Sequence, residues 1–190
     1  MLQATRTETS EPDRQPVDHH DVAVIGGGPA GSTLAGIILT HRPGSRVAVY
    51  EKEAFPRDHV GESQLPAIGA ILNEIGCWQK VEQAGFPLKV GATYRWGRSP
   101  ELWDFDFISP EVVEAIERPT PYGGPRTQTA FQVDRAIYDE ILLDHAAELG
   151  ADVHQSTMIR EVLRDGDRVE GLRLDDGRIV TADWYVDASG

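Results

Sequence analysis

Three glycines that directly follow a short apolar run constrain this chain more than any other feature. The run Val22–Ile25 leads into Gly26, Gly28 and Gly31, which have the Gly-x-Gly-x-x-Gly spacing. The first glycine permits a tight turn, the second lets the backbone approach a pyrophosphate, and the third allows a helix to pack closely on a strand. This order of strand, turn and helix start is typical of a dinucleotide-binding unit.

A second apolar run that ends in an acid completes this pattern. After a first strand over 21–25, a helix is expected over 29–40 and a strand over 46–51, so that Glu51 lies twenty residues after Gly31. Such a right-handed βαβ unit has parallel strands. The helix N-terminus offers free N–H groups to phosphates, and Glu51 can accept hydrogen bonds from ribose hydroxyls. The alternative is a glycine-rich turn that binds no ligand.

The bulk composition excludes several classes of protein. The chain has 190 residues and a net charge of −13, which disfavours nucleic acid and anionic membranes as partners. The sequence contains no apolar stretch of membrane-spanning length and no secretory signal, so we expect a cytoplasmic location, with residues 1–18 as a disordered leader. Cys77 is the only cysteine, which rules out an internal disulfide. We expect it to be a buried, inert thiol, and we expect no bound metal.

The middle of the chain contains a mixture of helical and strand patterns, separated by glycine and proline stops. The predicted elements are an ordered loop over 55–63, helices over 65–75 and 81–85, strands over 89–96 and 103–108, an irregular stretch over 110–124, and a helix over 132–149. The strand over 103–108 alternates and is expected to be antiparallel and half-exposed. The last helix is expected to bury Ile137, Ile141, Leu142 and Ala146.

The pattern after this helix distinguishes two kinds of nucleotide-binding fold. A strand over 151–154 precedes three short strands joined by the turn dipeptides Asp165-Gly166 and Asp176-Gly177. Those three strands are predicted over 158–163, 168–174 and 178–181, with a last strand over 184–187. A plain NAD dehydrogenase would continue the βαβ alternation. We therefore predict an α/β fold, a Rossmann-like FAD-binding doubly wound sheet with a β-meander crossover.

Four motifs add a family resemblance. They are Val24-Ile-Gly-Gly-Gly-Pro-Ala-Gly31 with Glu51-Lys52, Phe55-Pro-Arg-Asp-His-Val-Gly-Glu-Ser63, Lys89-Val-Gly-Ala-Thr-Tyr-Arg-Trp96, and Gln132-Val-Asp-Arg135 with Asp187-Ala-Ser-Gly190. From residue 21 to 190 the chain resembles the N-terminal part of the FAD-dependent oxidoreductases related to 4-hydroxybenzoate hydroxylase. Within that class it is most similar to the flavin-dependent halogenases of the tryptophan halogenase-like type that act on phenols and pyrroles. The second motif is typical of these halogenases and some of their relatives.

The resemblance implies a set of FAD-binding residues in one domain over 19–190, with the beginning of a substrate-side layer at about 86–130. These residues are Gly26, Gly28, Pro29, Ala30, Gly31, Glu51, Lys52, Arg57, Gly61, Glu62, Ser63, Arg135 and Asp187. Two of the assignments have plain structural alternatives. Ser63 precedes a predicted helix and would also serve as its N-cap. Arg135 follows Asp134 and would also form a salt bridge at a helix start.

Lys89 is the residue to which the resemblance assigns the halogenation chemistry. In the family, a lysine in a Lys-x-Gly-x-x-(Phe/Tyr) strand is thought to handle the oxidised halogen, and Lys89 matches that pattern. Shielding by Tyr94 and Trp96 would lower its pKa. From the residues alone, an exposed strand lysine is the commoner interpretation. The aromatic residues Trp96, Trp103, Phe105 and Phe107 are expected to form sheet core, although they would also suit a substrate-facing surface.

The resemblance also implies an activity and its partners. The expected reaction uses FADH2, O2 and a halide to halogenate an electron-rich aromatic compound, free or tethered to a carrier, as in secondary-metabolite biosynthesis. A separate NAD(P)H-dependent flavin reductase would supply FADH2, because the sequence has no second nucleotide fingerprint. The alternatives are an FAD-dependent aromatic monooxygenase or hydroxylase, a flavin reductase, and a truncated product without catalysis. No Trp-x-Trp-x-Ile-Pro motif is present, so we expect an N-terminal fragment that binds FAD weakly and does not turn over.

Overall fold

The glycine loop connects the first strand to the first helix of a parallel βαβ unit, as predicted. A computed structural model describes residues 18–190 of the chain. Within it, β1 (Asp18–Ile25) is followed by α1 (Pro29–His41) and by β2 (Val47–Tyr50), which pairs with β1 in parallel. Asp18 thus belongs to a strand, and the rest of the predicted leader lies outside the described residues.

The remaining elements form two groups, one on each side of the long helix α5. Before it lie α2 (Ala67–Glu74), α3 (Trp78–Gln83), β3 (Leu88–Lys89), β4 (Gly91–Tyr94), β5 (Trp103–Asp106), α4 (Pro110–Glu114), a 3-10 turn (Gly124–Gln128) and β6 (Ala130–Phe131). Then come α5 (Arg135–Glu148), β7 (Asp152–His154), β8 (Ile159–Asp165), β9 (Arg168–Leu174) and β10 (Ile179–Asp187). None of the helices in residues 18–190 combines the length and apolar character needed to cross a membrane.

One six-stranded sheet carries the fold, in the order β7-β2-β1-β10-β9-β8. The first four of these strands are parallel, and β9 and β8 continue antiparallel as the predicted meander. The sequence predicted two separate strands over 178–181 and 184–187, and this is wrong. β10 is continuous because its start pairs with β9 at Ile179 and Val180 while its whole length from Val180 pairs with β1. The predicted fold class is confirmed.

Two apolar clusters cover the two faces of the parallel strands. On one face, α1 and α5 pack against the sheet through Val24, Ala35, Leu39, Val47, Val49, Leu143 and Ala146. On the other face, the meander packs against it through Ala23, Ala48, Tyr50, Leu172, Leu174 and Val180. The strands of a parallel sheet are apolar on both sides for this reason.

A third cluster joins α2, α3, β6 and α5, and it explains how α5 is oriented. Tyr138 and Leu142 of α5 belong to this cluster, whereas Leu143 and Ala146 face the sheet. The helix therefore buries a broad face between two cores, and the predicted burial of Ile137 is wrong because 47% of this residue is exposed. The helix begins three residues later than predicted, where Asp134 accepts a hydrogen bond from the N–H of Ala136 at 2.9 Å.

The predicted strand over 89–96 is two strands with different partners. β3 pairs with β6, and β4 pairs with β5 in a separate antiparallel hairpin. All four residues of β5 are exposed, so it is not half-buried as predicted. The expectation of an aromatic sheet core is wrong for Trp96, Trp103 and Phe105, which are more than half exposed, because no other element covers this hairpin in residues 18–190.

An ion cluster joins the buried Glu82 of α3 to the buried Arg126 and the partly buried Arg118. The Glu82 carboxylate accepts hydrogen bonds from Arg118 Nε at 2.9 Å and from Arg126 Nη2 at 2.6 Å. Burial alone would raise the pKa of Glu82, but the two guanidinium groups lower it below its usual value. Nearby, burial raises the pKa of the Cys77 thiol to about 11, in agreement with the predicted inert thiol.

We predict that Gly31→Ala destabilises the protein strongly and that Gly36→Ala in the same helix does not. A Cβ at Gly31 would lie 1.9 Å from the Gly26 carbonyl oxygen, whereas at Gly36 the nearest atom is a flexible Ile75 side chain at 3.4 Å. Gly31→Ala should lower the free energy of unfolding by at least about 2 kcal/mol. Gly36→Ala should leave it unchanged or raise it by up to about 1 kcal/mol. Urea denaturation measures both; equal stability of the two variants would contradict the close approach.

We predict that Glu82 makes the stability of the protein sensitive to acid. Because its pKa is lowered in the folded protein, its contribution is complete above the ordinary glutamate pKa of 4.5 and is lost as the pH falls further. Glu82→Gln should therefore cost about 3 kcal/mol at pH 7. The difference from the parent protein should shrink between pH 5 and pH 3 in urea denaturation. A difference that stays constant over this pH range would show that Glu82 does not titrate in the folded protein in this way.

Candidate functional site

A cavity of about 560 Å³ lies at the carboxyl ends of β1, β2 and β10, beside the N-terminus of α1. In open α/β sheets, ligands bind outside the carboxyl ends of the strands. The glycine loop, the end of β2, the loop after it, the first turn of α5 and part of β8 form its walls. Nine of the predicted cofactor residues line it: Gly26, Gly28, Pro29, Ala30, Glu51, Lys52, Arg57, Arg135 and Asp187.

The glycine loop is shaped by two close backbone approaches and one open position. Gly26 has a φ of +101°, and a Cβ there would lie 2.6 Å from the Ala188 carbonyl oxygen. Gly31 lies behind the loop and packs against Gly26. Gly28 has an ordinary φ of −66°, and a Cβ there would meet only the Arg57 guanidinium, at 3.6 Å. The absence of a side chain at Gly28 thus keeps space open at the start of α1, where free backbone N–H groups occur.

Glu51 fastens the glycine loop to the end of β2. Its carboxylate accepts a hydrogen bond from the Gly27 N–H at 2.7 Å and another from the Glu53 N–H at 2.9 Å. The residue is 4% exposed and lines the cavity. Each carboxylate oxygen can accept more than one hydrogen bond. Glu51 therefore holds the loop and still has acceptor capacity toward a ligand in the cavity.

Asp139, which the sequence did not single out, holds the cationic side of the cavity. It is buried in α5 and accepts two hydrogen bonds from Arg135, at 2.7 and 2.8 Å. A salt bridge at the helix start was the structural alternative for Arg135, and the structure shows one with Asp139, while Asp134 caps the helix. Arg57 Nη1 lies 3.8 Å from the same Asp139 carboxylate.

Arg57 has hydrogen-bonding capacity that no residue in 18–190 uses. Its Nε lies 2.9 Å from a Glu53 oxygen but without hydrogen-bond alignment, and both Nε and Nη1 are buried without a hydrogen-bond partner. A guanidinium group presents planar donors that suit phosphate oxygens. The nitrogen that borders the open space is Nη2, which would lie 3.6 Å from a Cβ at Gly28, and a guanidinium group at this place fits the pyrophosphate of a dinucleotide.

Asp187 ends β10 at the edge of the cavity. Hydrogen bonds from Ser189 lower the pKa of its carboxyl group below its ordinary value. The carboxylate is therefore charged at neutral pH and presents acceptors rather than donors. Lys52 also lies at the rim, on the exposed side.

The segment 55–63 runs from the cavity toward the third cluster. Gly61 has a φ of +101°, which favours glycine. Ser63 does not cap a helix, because α2 begins only at Ala67 and Ser63 forms a β-bridge with Gln132. The Glu62 carbonyl accepts a hydrogen bond from the Val133 N–H. Gly61, Glu62 and Ser63 are not among the residues that line the cavity.

Lys89 lines a second, separate cavity of about 390 Å³ beside β4 and β5. Its Nζ donates a hydrogen bond to the Gln64 carbonyl at 2.8 Å and lies 5.5 Å from the centre of the Phe107 ring. Shielding by Tyr94 and Trp96 is wrong, because Tyr94 stacks on Trp103 and 81% of Trp96 is exposed. Phe107 is the aromatic residue that approaches Lys89.

The structure adds site residues for which the sequence has weak signals or none. Asp139 lies four residues after Arg135, and this helical spacing of opposite charges could have indicated the ion pair. Gln64 acts through its backbone carbonyl, which any residue would supply. Met158 and the β8 residues 159–162 also line the cavity, but a meander strand has no motif that marks its position.

The fold and the cavity define a class: a dinucleotide-binding α/β protein whose meander crossover is of the flavoprotein type. The tryptophan halogenase family model matches residues 21–121 and 113–190. The chain belongs to this family.

Two curated relatives and one solved structure illustrate this membership. A 1H-pyrrole-2-carbonyl peptidyl-carrier-protein chlorinase of Pseudomonas fluorescens is 42% identical over 91% of this chain and 40% of its own length. The flavin-dependent halogenase armH1 of Armillaria mellea is 34% identical over 90% of this chain and 31% of its own length. The structure of the myxobacterial chondrochloren halogenase CndH, described as FAD-dependent, superimposes with a TM-score of 0.75 at 39% identity, over 91% of this chain and 38% of that one. The chain therefore spans less than half the length of these relatives.

Proposed function

We propose that the cavity at the glycine loop binds the ADP part of FAD. The observation that carries this proposal is the open space at Gly28, which the Nη2 group of Arg57 borders. The loop residues Gly26, Gly28, Pro29, Ala30 and Gly31 would face the pyrophosphate, together with Arg57.

The other predicted residues would surround this central contact. Glu51 would accept hydrogen bonds from the ribose hydroxyls, as acids at the end of the second strand do in this fold. Arg135 would keep its salt bridge with Asp139, and through this shared carboxylate it would help to hold Arg57 in place. At the rim, the ligand would contact Lys52 and Asp187. The segment of Gly61, Glu62 and Ser63 would run from the FAD toward Lys89.

We infer that the protein containing this chain is a flavin-dependent halogenase. The bound flavin would supply the two electrons with which O2 and a halide ion yield hypohalous acid and water. The chain itself would hold the cofactor, exclude water from it and position the reacting groups. Lys89 would bind the oxidised halogen at its Nζ and direct it to an electron-rich aromatic ring.

The segment 55–64 supports the proposal that the cofactor and the oxidised halogen bind at two sites, because it contacts both the first cavity and Lys89. Arg57 lies in the first cavity, and the Gln64 carbonyl accepts the Lys89 hydrogen bond at the second. A species formed at the flavin would therefore travel along one continuous stretch of chain. An aromatic monooxygenase or hydroxylase of the same superfamily would share the first cavity but would not need Lys89.

Substrate and partners follow from the proposed reaction. We propose an aromatic small molecule or a carrier-tethered aromatic group as substrate, since two of the relatives carry names of enzymes for pyrrole groups on carrier proteins. A separate NAD(P)H-dependent flavin reductase would deliver FADH2. The cytoplasmic location stays a prediction.

We predict that Gly28→Ala separates FAD binding from stability. The backbone of Gly28 is accessible to alanine, so the free energy of unfolding should change by less than about 1 kcal/mol. The added methyl group would occupy the space proposed for the pyrophosphate, so the Kd for FAD should rise at least about tenfold, that is by about 1.4 kcal/mol of binding free energy. Flavin fluorescence titration of the protein, at the full length that its gene encodes, measures this change. Unchanged FAD affinity in a folded variant would show that the pyrophosphate of FAD does not bind at Gly28.

We predict that Lys89→Ala abolishes halogenation, whereas Lys80→Ala does not. Lys80 is the matched control, because it is a lysine on α3 that pairs with Glu148, and neither residue lines either cavity. The test uses the protein at the full length that its gene encodes. With FADH2, O2 and chloride or bromide, mass spectrometry of an aromatic substrate should show halogenated product with this parent protein and its Lys80→Ala variant only. Halogenation retained by Lys89→Ala would remove Lys89 from its proposed role. Hydroxylated product that does not depend on halide would favour the hydroxylase alternative.

A further inference from the structure

The Glu82–Arg118–Arg126 cluster connects two segments of chain that are distant in sequence. Arg118 Nη1 donates a hydrogen bond to the Phe86 carbonyl at 2.8 Å, and Arg126 Nη1 bonds to the Thr129 hydroxyl. Since both arginines bind the same Glu82 carboxylate, the segment before β3 and the segment before β6 are held against one helix. The cluster therefore sets how these two strands meet.

Those two strands carry Lys89. β3 pairs with β6 so that Lys89 lies opposite Ala130. Phe86 precedes Lys89 by three residues, and Thr129 directly precedes Ala130. A shift of either arginine would therefore move one side of the short ladder that places the Lys89 backbone.

The side chain of Lys89 depends on the same ladder. Its Nζ donates to the Gln64 carbonyl at 2.8 Å, and the Gln64 N–H donates to the Phe131 carbonyl of β6 at 3.1 Å. The Phe131 ring in turn packs against the Arg126 guanidinium, at 5.2 Å from the ring centre. Only two hydrogen bonds separate the Lys89 ammonium group from the strand that the ion cluster holds.

Stability alone does not account for the two buried charges of Glu82 and Arg126 and the partly buried charge of Arg118 at this place. Removing charges from water is costly, and a buried ion cluster is often no more stable than apolar side chains of similar volume. We propose that Glu82, Arg118 and Arg126 are positioning residues for Lys89, which hold its strand and its Gln64 acceptor in place. The proposal rests on the proposed role of Lys89 in halogenation.

Lysine-specific trace labelling tests this, because the chain has only three lysines, Lys52, Lys80 and Lys89. The full chain is treated with limiting acetic anhydride, and the label at each lysine is measured by mass spectrometry, with Lys52 as internal reference. Glu82→Gln should raise the labelling of Lys89 about fivefold, the ratio that corresponds to a lost hydrogen bond of about 1 kcal/mol. The charge-free triple variant Glu82→Leu, Arg118→Met, Arg126→Met should also raise the labelling of Lys89. Because it contains none of the three charges, it should stay folded even if Glu82→Gln unfolds the protein.

Glu161→Gln is the matched control, because it breaks an exposed ion pair with Arg173 in the meander. It should leave the labelling of Lys89 unchanged. Unchanged labelling of Lys89 in a folded cluster variant would overturn the proposal, and so would loss of the fold in both cluster variants, which would make the cluster a stability element. If the labelling rises as expected but Lys89→Ala still halogenates, the cluster positions Lys89 and only the proposed function fails.

Discussion

The contact between Gly31 and the Gly26 carbonyl is the constraint on which the rest of the structure depends. No side chain fits between them, so α1 begins directly against the end of β1. This approach leaves the start of α1 facing the space beyond the carboxyl ends of β1 and β2. The meander and β10 then close the same edge, since the Ala188 backbone packs on Gly26. A cavity with free backbone donors on one wall is the consequence.

The elements that could be predicted are those whose pattern is local. The glycine spacing, the apolar strands around it and the turn dipeptides of the meander specify the βαβ unit and the crossover without reference to other residues. Strand limits could not be predicted, because they depend on partners. The stretch 89–96 forms two strands, because β3 pairs with β6 and β4 pairs with β5. The last strand, β10, is continuous because it pairs with both β9 and β1. Alternation in β5 also does not reveal whether another element covers it.

The residues of the candidate site also fall into those that could be predicted from the sequence and those that could not. Gly26, Gly28, Glu51 and Arg57 were predicted from motifs and lie together around one cavity. Asp139 was missed, although it pairs with Arg135 and lies 3.8 Å from Arg57, because its role depends on burial in α5 and on a loop from another part of the chain. Lys89 matches a motif, but its side chain meets Phe107 and Gln64 through contacts between segments that are distant in sequence, and the sequence suggested Tyr94 and Trp96 instead. The chemical type of a site residue can be predicted from the sequence, whereas the residues that surround it can be identified only once the fold is known.

The central claim is that the glycine loop, Arg57 and Glu51 form one site for the ADP part of a flavin. A crystal structure of the 190-residue chain grown with a high concentration of ADP tests it most directly, since ADP contains the phosphates and the ribose but no flavin ring. The account predicts the pyrophosphate between Gly28 and the Arg57 guanidinium, and the ribose hydroxyls on the Glu51 carboxylate. ADP bound only elsewhere, for example beside Lys89, or an empty glycine-loop cavity in crystals of the folded protein would contradict it.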